Sequence, residues 1–146
     1  TAQQLYDRLA RLGGQLLVET VAAIADGTAR RTPQDPDRVT FAPMLSRELS
    51  PMDWSRPADR LHDQVRGLLP WPTASAELPN GDKVKIFTTV EVKEQTAKRP
   101  GTILRVGQEG IDVACGGGTV LRITELQAPG CRRMSAADYL RGHKLI

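Results

Sequence analysis

Cysteine, histidine and aromatic residues are all scarce in this 146-residue chain: two Cys, two His, two Trp, two Tyr and two Phe. Cys115 and Cys131 stand 16 positions apart, with no CxxC pairing and no second pair. That excludes the usual structural zinc site and favours free, buried thiols over a disulfide, so no metal is expected. The histidines offer no catalytic base. His62 lies in a charged helical run beside Asp63, and His143 lies near the end; neither has a sequence context that promises partners within hydrogen-bond reach. No run of about 18 apolar residues occurs, so no membrane span is expected. The opening TAQQLYDRLA is too polar for a signal peptide, which makes a soluble, interior location the expectation.

An excess of one charge is also missing, since the net charge is only +3. Lys plus Arg balance Asp plus Glu at 9 against 9 over residues 1–70 and 7 against 7 over 71–127, whereas residues 128–146 hold 4 against 1. The surplus is Arg132, Arg133, Arg141 and Lys144 opposed by Asp138. A basic end on a neutral body suits an anionic partner such as RNA, and equally a solvated terminus.

What is present has a clear order. Leu5, Leu9, Leu12 and Leu16, then Val21 and Ile24, recur at helical steps and predict helix over residues 2–26. Gly27 stands where a left-handed residue ends a helix, and Gly13-Gly14 is expected to kink or divide it. Residues 27–53 are proline-rich and read as a linker, with short extended candidates around Val39 to Phe41. A second helix is expected over 56–69, with Ser55 as N-cap and Leu61, Val65, Leu68 and Leu69 as its buried stripe. Pro70 ends it.

After Trp71 the period changes to two. TASAEL and KVKIFTTVEV flank PNGD, a hairpin signal, and further strand candidates fall at 101–106, 111–114 and 119–126 between glycine-rich turns. About five short strands over residues 73–127 suggest a small closed barrel, and Ser135 can cap a last short helix, 135–141. The fold class is therefore α+β. CGGGTV (115–120) lacks the lysine and the following helix of a phosphate loop, and reads as a tight turn. Lys83 and Lys85, two apart, share a strand face and are candidate phosphate contacts.

The ordered stretches LYDRLARLGGQLLVETVAAIADGTARRTPQD, TFAPMLSRELSPMDWSRPADRLHDQVRGLLPWPTA and PGTILRVGQEGIDVACGGGTVLRITELQAPGCRRMSAADYLRG resemble the C-terminal part of the methionyl-tRNA formyltransferase family. The landmarks D-W, R-G-x-x-P-W-P and M-S-A-x-D-[YL]-L arrive in order at family-like spacing, across essentially the whole chain. The resemblance implies that residues 1–26 are the helical tail of an absent Rossmann-like catalytic domain, 27–53 the linker, and 54–146 an OB-like, Greek-key barrel domain. It implies a parent enzyme of the bacterial cytoplasm, monomeric, that moves a formyl group from 10-formyltetrahydrofolate to the amino group of initiator methionyl-tRNA in translation initiation. The family's catalytic Asn, His and Asp lie in the absent domain, so this chain holds no catalytic residue and no cofactor, and is expected to be inactive alone. Its partners are then initiator methionyl-tRNA and its own catalytic domain. The family's linker lysine position is occupied by Met44, with Arg47 three residues on. Arg141, His143 and Lys144 match the family's basic ending in character. The expected tRNA contacts are Arg47, Lys83, Lys85, Arg132, Arg133, Arg141 and Lys144. The expected structural junction is Trp54, Arg66, Gly67, Pro70, Trp71 and Pro72, with Trp71 packed between helix and barrel. The alternative is the equivalent domain of another formyl-folate-dependent transferase or hydrolase, serving as a scaffold.

Overall fold

The leucine-periodic start forms one unbroken helix, α1 (Ala2–Ala25), in a computed structural model that describes residues 1–145. The expected break at Gly13-Gly14 does not occur: glycine weakens a helix without forbidding its angles, and strong helix formers flank the pair. Gly27 does terminate it, with φ +70°. Its N–H bonds the Ile24 carbonyl at 3.2 Å, and Thr28 bonds Ala23 at 2.9 Å, the paired bonds of a Schellman cap. No residue of α1 is buried. It belongs to a compact unit, Ala2–Met44, and a second unit comprises mainly the residues from Leu45 onward. Val39 to Phe41 form no strand.

In the second unit, helix α2 (Ala58–Gly67) begins two residues later than expected. Ser55 is taken up locally, its N–H and Oγ both donating to Asp53 Oδ1 at 3.0 and 2.7 Å. Pro57 stands at the N-cap without a side-chain bond, and Thr119 Oγ1 accepts from the Ala58 N–H at 2.8 Å instead. The cap is thus supplied across the fold. Leu61 and Val65 are fully buried on the core side of α2 and Leu68 lies just beyond its end.

Six antiparallel strands follow: β1 (Ala74–Glu77), β2 (Lys83–Val92), β3 (Ile103–Gly107), β4 (Gly110–Ala114), β5 (Val120–Gln127) and the two-residue β6 (Met134–Ser135). Their order is β1-β2-β5-β4-β3, with β6 on β5. The sheet is open and not the closed barrel that the strand spacing suggested. At one end, residues 50–52 take β1's free edge: Met52 N–H bonds the Ser75 carbonyl at 2.9 Å and Ser75 N–H bonds the Ser50 carbonyl at 2.7 Å. Those groups of β1 are then not available to close a ring. Helix α2 packs on β2 and β5, and α3 (Ala136–Gly142) on β5 and β6. Ser135 caps α3, its Oγ accepting from the Asp138 N–H at 3.0 Å. The core between these layers includes Leu61, Val65, Ile86, Ile111, Leu121, Ile123, Leu126 and Tyr139.

The PNGD hairpin closes as a three-residue loop in which Gly81 alone has positive φ (+87°) and Gly81 N–H bonds the Leu78 carbonyl at 2.8 Å. That is a type I turn ending in a left-handed residue, a common alternative to the two-residue Asn-Gly turn. CGGG is indeed a tight turn. Gly116 is required there because a Cβ would stand 1.8 Å from the Ser55 carbonyl oxygen. Its N–H bonds the carbonyls of both Trp54 and Arg56 at 2.9 Å.

That contact corrects the expected junction. Trp71 is 51% exposed and is not packed between helix and sheet. Trp54 is the tryptophan that packs on the core, because Gly116 holds residues 54–56 against the β4–β5 turn. Pro70 and Pro72, both preceded by cis peptide bonds, flank the exposed Trp71. Gly67 is the last residue of α2, and Arg66 makes an exposed pair with Asp63 at 3.2 Å. Cys115 is buried and free, whereas Cys131 is exposed, contrary to the expectation of two buried thiols; it follows the Pro129-Gly130 turn that lifts the chain away from the core.

Candidate nucleic-acid interface

Alternation along β2 puts Val84 and Ile86 inside and Lys83 and Lys85 outside. The register sets Ser75, Lys85 and Gln127 in one cross-strand row and pairs Glu77 with Lys83. Lys83 Nζ lies 3.9 Å from Glu77 Oε2, with both side chains mostly exposed, a pair worth little in water. Lys85 has no carboxylate partner among the described residues. Beside them, the Arg133 guanidinium lies 4.6 Å over the Phe87 ring and bonds Glu125, which also accepts from the Thr88 hydroxyl. These bonds hold the Glu125 carboxyl below the usual carboxylate range, the Arg133 bond first and the Thr88 bond next. The outer face of β2 and β5 therefore gathers Lys83, Lys85 and Arg133. Arg133, however, is held by the protein itself.

The remaining candidates lie elsewhere. Arg132 is exposed beside Arg133, and Arg47 is exposed in a 3-10 turn, Arg47–Leu49. Gln64 Nε2 ties that turn to α2 by donating to the Leu49 carbonyl at 2.9 Å. Met44, at the family's usual lysine position, is almost fully exposed. Arg141 and Lys144 lie at and beyond the end of α3, and Arg141 Nη1 is 2.9 Å from Asp138. Tyr139 holds the underside of this helix: its hydroxyl donates to Asp82 Oδ2 at 2.6 Å and accepts from Asn80 Nδ2 at 2.9 Å. Burial, helped by Asp82, pushes the Tyr139 phenol up to about 12. The His143 ring stacks on Tyr139 at 4.1 Å, its Nδ1–H donating to the Tyr139 carbonyl at 2.9 Å.

Sequence reasoning missed the strongest electrostatic feature. Asp112 is buried within β4. Arg122 Nε donates to its Oδ1 at 2.6 Å and Arg122 Nη2 to its Oδ2 at 2.9 Å, while Arg105 Nε reaches Oδ2 at 3.0 Å. Burial pushes the Asp112 carboxyl up, but the Arg122 and Arg105 bonds outweigh it and leave the group below its ordinary range. Arg105 and Arg122 also bind Glu94 and Glu109. Of the cations on the sheet, these two are structural ties across β3, β4 and β5. The signal in sequence was an aspartate alternating with the core residues Ile111 and Val113, on the face opposite the core, where the cross-strand arginines cover it; that is legible only once the register is known. Among the described residues no group of acids, cysteines and histidines could hold a metal, and no helix is long and apolar enough to cross a membrane.

Comparison with known proteins agrees with the ordered landmarks. A model described as the formyl transferase C-terminal domain matches residues 44–144. The methionyl-tRNA formyltransferase of Acetivibrio thermocellus is 42% identical over 146 residues, covering 99% of this chain and 46% of that protein. That of Bacillus subtilis is 42% identical over 138 residues, covering 94% and 43%. The chain thus spans less than half the length of the curated relatives it matches. A solved structure of HypX from Aquifex aeolicus, in complex with tetrahydrofolic acid, has the same fold at 20% identity and a TM-score of 0.60, covering 86% of this chain and 22% of that one. The match to residues 44–144 takes in both α2 and the whole sheet, and the chain belongs to the formyl transferase C-terminal domain family.

Proposed function

We propose that this chain is the C-terminal, tRNA-holding part of a methionyl-tRNA formyltransferase acting in translation initiation in the bacterial cytoplasm. The observation that carries the reading is the 42% identity to such enzymes along the whole chain. The parent reaction joins the methionyl amine of initiator tRNA to the formyl carbon of 10-formyltetrahydrofolate; the bond from that carbon to the folate nitrogen breaks, and the amine's proton passes to that nitrogen. This chain supplies none of those atoms. Its part is to orient RNA, through Lys83, Lys85 and Arg133 on the β2–β5 face of the OB-like sheet and through Arg47, Arg132, Arg141 and Lys144 elsewhere on the surface.

Three features support this division of labour. Arg47, Lys85, Arg132 and Lys144 are exposed and carry no ion pair among the described residues. Six aromatic residues in all provide little for base stacking, so backbone and shape recognition of folded tRNA fits better. The unburied stripe of Leu5, Leu9, Leu12 and Leu16 fits a helix that completes an upstream, Rossmann-like domain, where the folate site and catalytic residues would lie. The scaffold reading gains from Arg133 and Arg141, which already have internal acidic partners.

The deciding measurement is salt-dependent association with initiator tRNA. Removing charge at Arg132, Arg133, Arg141 and Lys144 is expected to flatten the log–log salt slope by about one unit per lost phosphate contact. Unchanged affinity of both this chain and its parent enzyme after all four changes would leave the scaffold role.

A further inference from the structure

We infer that the cavity between the β3–β4 hairpin and the segment after α3 seats one nucleotide of the bound RNA, its phosphate on Arg141 and Lys144 and its ribose over an apolar floor. The inference rests on the tRNA reading and gives it a particular site.

The cavity measures about 710 Å³, within the range of pockets that enclose small ligands. Val106, Leu140 and Leu145 supply apolar wall, and Gln108 supplies a neutral hydrogen-bonding group at the hairpin tip. Arg141 and Lys144 add two fixed positive charges, and among the described residues no carboxylate lines it. Lys144 has no ion pair among the described residues. Arg141 spends one nitrogen on Asp138 in a pair that is 81% and 50% exposed, which costs little to share and leaves the rest of the guanidinium fork for a phosphate. His143, stacked on Tyr139 and bonded to its carbonyl, anchors the backbone between those two cations, so they are presented from a fixed strut. Two other cavities have the wrong charge for this role. One is lined by Asp59, Glu91 and Glu94 against Lys93, and the other sets Glu77 against Lys83.

Gly107 is an independent sign. It lines the cavity, its φ is not positive, and a Cβ there would meet no atom within 4 Å. Neither the backbone angle nor a neighbouring atom demands glycine at this strand end. What its missing side chain leaves is room, as where a backbone lies close to a ligand.

The test is fluorescence anisotropy of labelled initiator tRNA titrated with this chain over a salt series, using K144Q, R141Q, G107V and K93Q. K144Q and G107V are each expected to lower the steepness of the slope by about one unit, R141Q by the same or less, and K93Q not at all. Should G107V lower the melting temperature, Gln108→Trp fills the cavity mouth from an exposed turn position and takes its place. Wild-type binding with G107V and Gln108→Trp unaffected overturns the cavity while leaving the tRNA reading intact. Absence of salt-dependent binding by the wild-type chain removes both. Displacement of the RNA by polyglutamate in wild type but not in K144Q shows a site for acidic protein segments, and also overturns the inference.

Discussion

Replacing Asp112 by alanine leaves two guanidinium groups facing a vacated, buried position. Asp112 is 2% exposed and receives three charge-assisted hydrogen bonds, two from Arg122 and one from Arg105. Breaking a buried ion pair from one side costs about 3–5 kcal/mol. Arg105 is half exposed and the Arg122 side chain 21% exposed. Both keep Glu94 and Glu109 as partners, so the cost is expected near the lower bound, about 3 kcal/mol. For a unit of roughly 100 residues each kcal/mol lowers Tm by about 4 °C or more, which predicts a fall of about 12 °C or more. Thermal unfolding followed by circular dichroism, with urea titration alongside, reads it. The acid dependence follows in sign. The folded Asp112 carboxyl titrates below its unfolded value, about 3.9, so its contribution is complete above that value and is lost as pH falls through the folded one. The gap between wild type and Asp112→Ala therefore narrows below about pH 4. Replacing both members, as Asp112→Leu with Arg122→Met, is expected to recover much of the loss. A loss under about 1 kcal/mol for Asp112→Ala, or additivity with Arg122→Ala in a double-mutant cycle, refutes the claim that this network ties β3, β4 and β5 together.

Three further outcomes are expected. Gly116→Ala, with its Cβ aimed 1.8 Å from the Ser55 oxygen, costs at least about 3 kcal/mol in urea titration, whereas Gly117→Ala, with φ +66° but open space, costs about 1–2 kcal/mol; equal costs would show that residues 54–56 give way easily. Trp54→Ala lowers stability by about 2–4 kcal/mol and Trp71→Ala by less than about 1, since only the former packs on the core; the reverse ranking in thermal melts would restore Trp71 as the pin. A disulfide-exchange reagent at pH 8 titrates one thiol per folded chain, Cys131, because burial pushes the Cys115 thiol up to about 11; two fast thiols in native buffer contradict the burial of Cys115.

Local patterns carried much of the fold. Leucine spacing predicted α1 nearly to the residue, alternation predicted β2, and Ser135 predicted the start of α3. The two-residue β6 was invisible because so short a strand has no period. The Gly13-Gly14 break failed because glycine propensity is a matter of degree, while the surrounding residues sustain the helical ladder. Trp71 was misplaced for a different reason: flanking prolines restrict the backbone but do not say which way the side chain faces. The burial of Trp54 depends on Gly116, about sixty positions away, and the Asp112 network depends on which strands are neighbours. Long-range pairings of that kind leave little mark on local sequence. The basic candidates were all present at the surface, yet their inward commitments, Arg133 to Glu125 and Arg141 to Asp138, became visible only with the fold.

The short pairing of residues 50–52 with β1 has a consequence for how this protein behaves in solution. An edge strand with unpaired N–H and C=O groups invites a second copy to add on and start a growing stack. Here the three residues 50–52 act as a permanent stopper on that edge. A shorter version of the chain starting after Met52 would keep every strand and both remaining helices, and would still lose its protection against self-assembly.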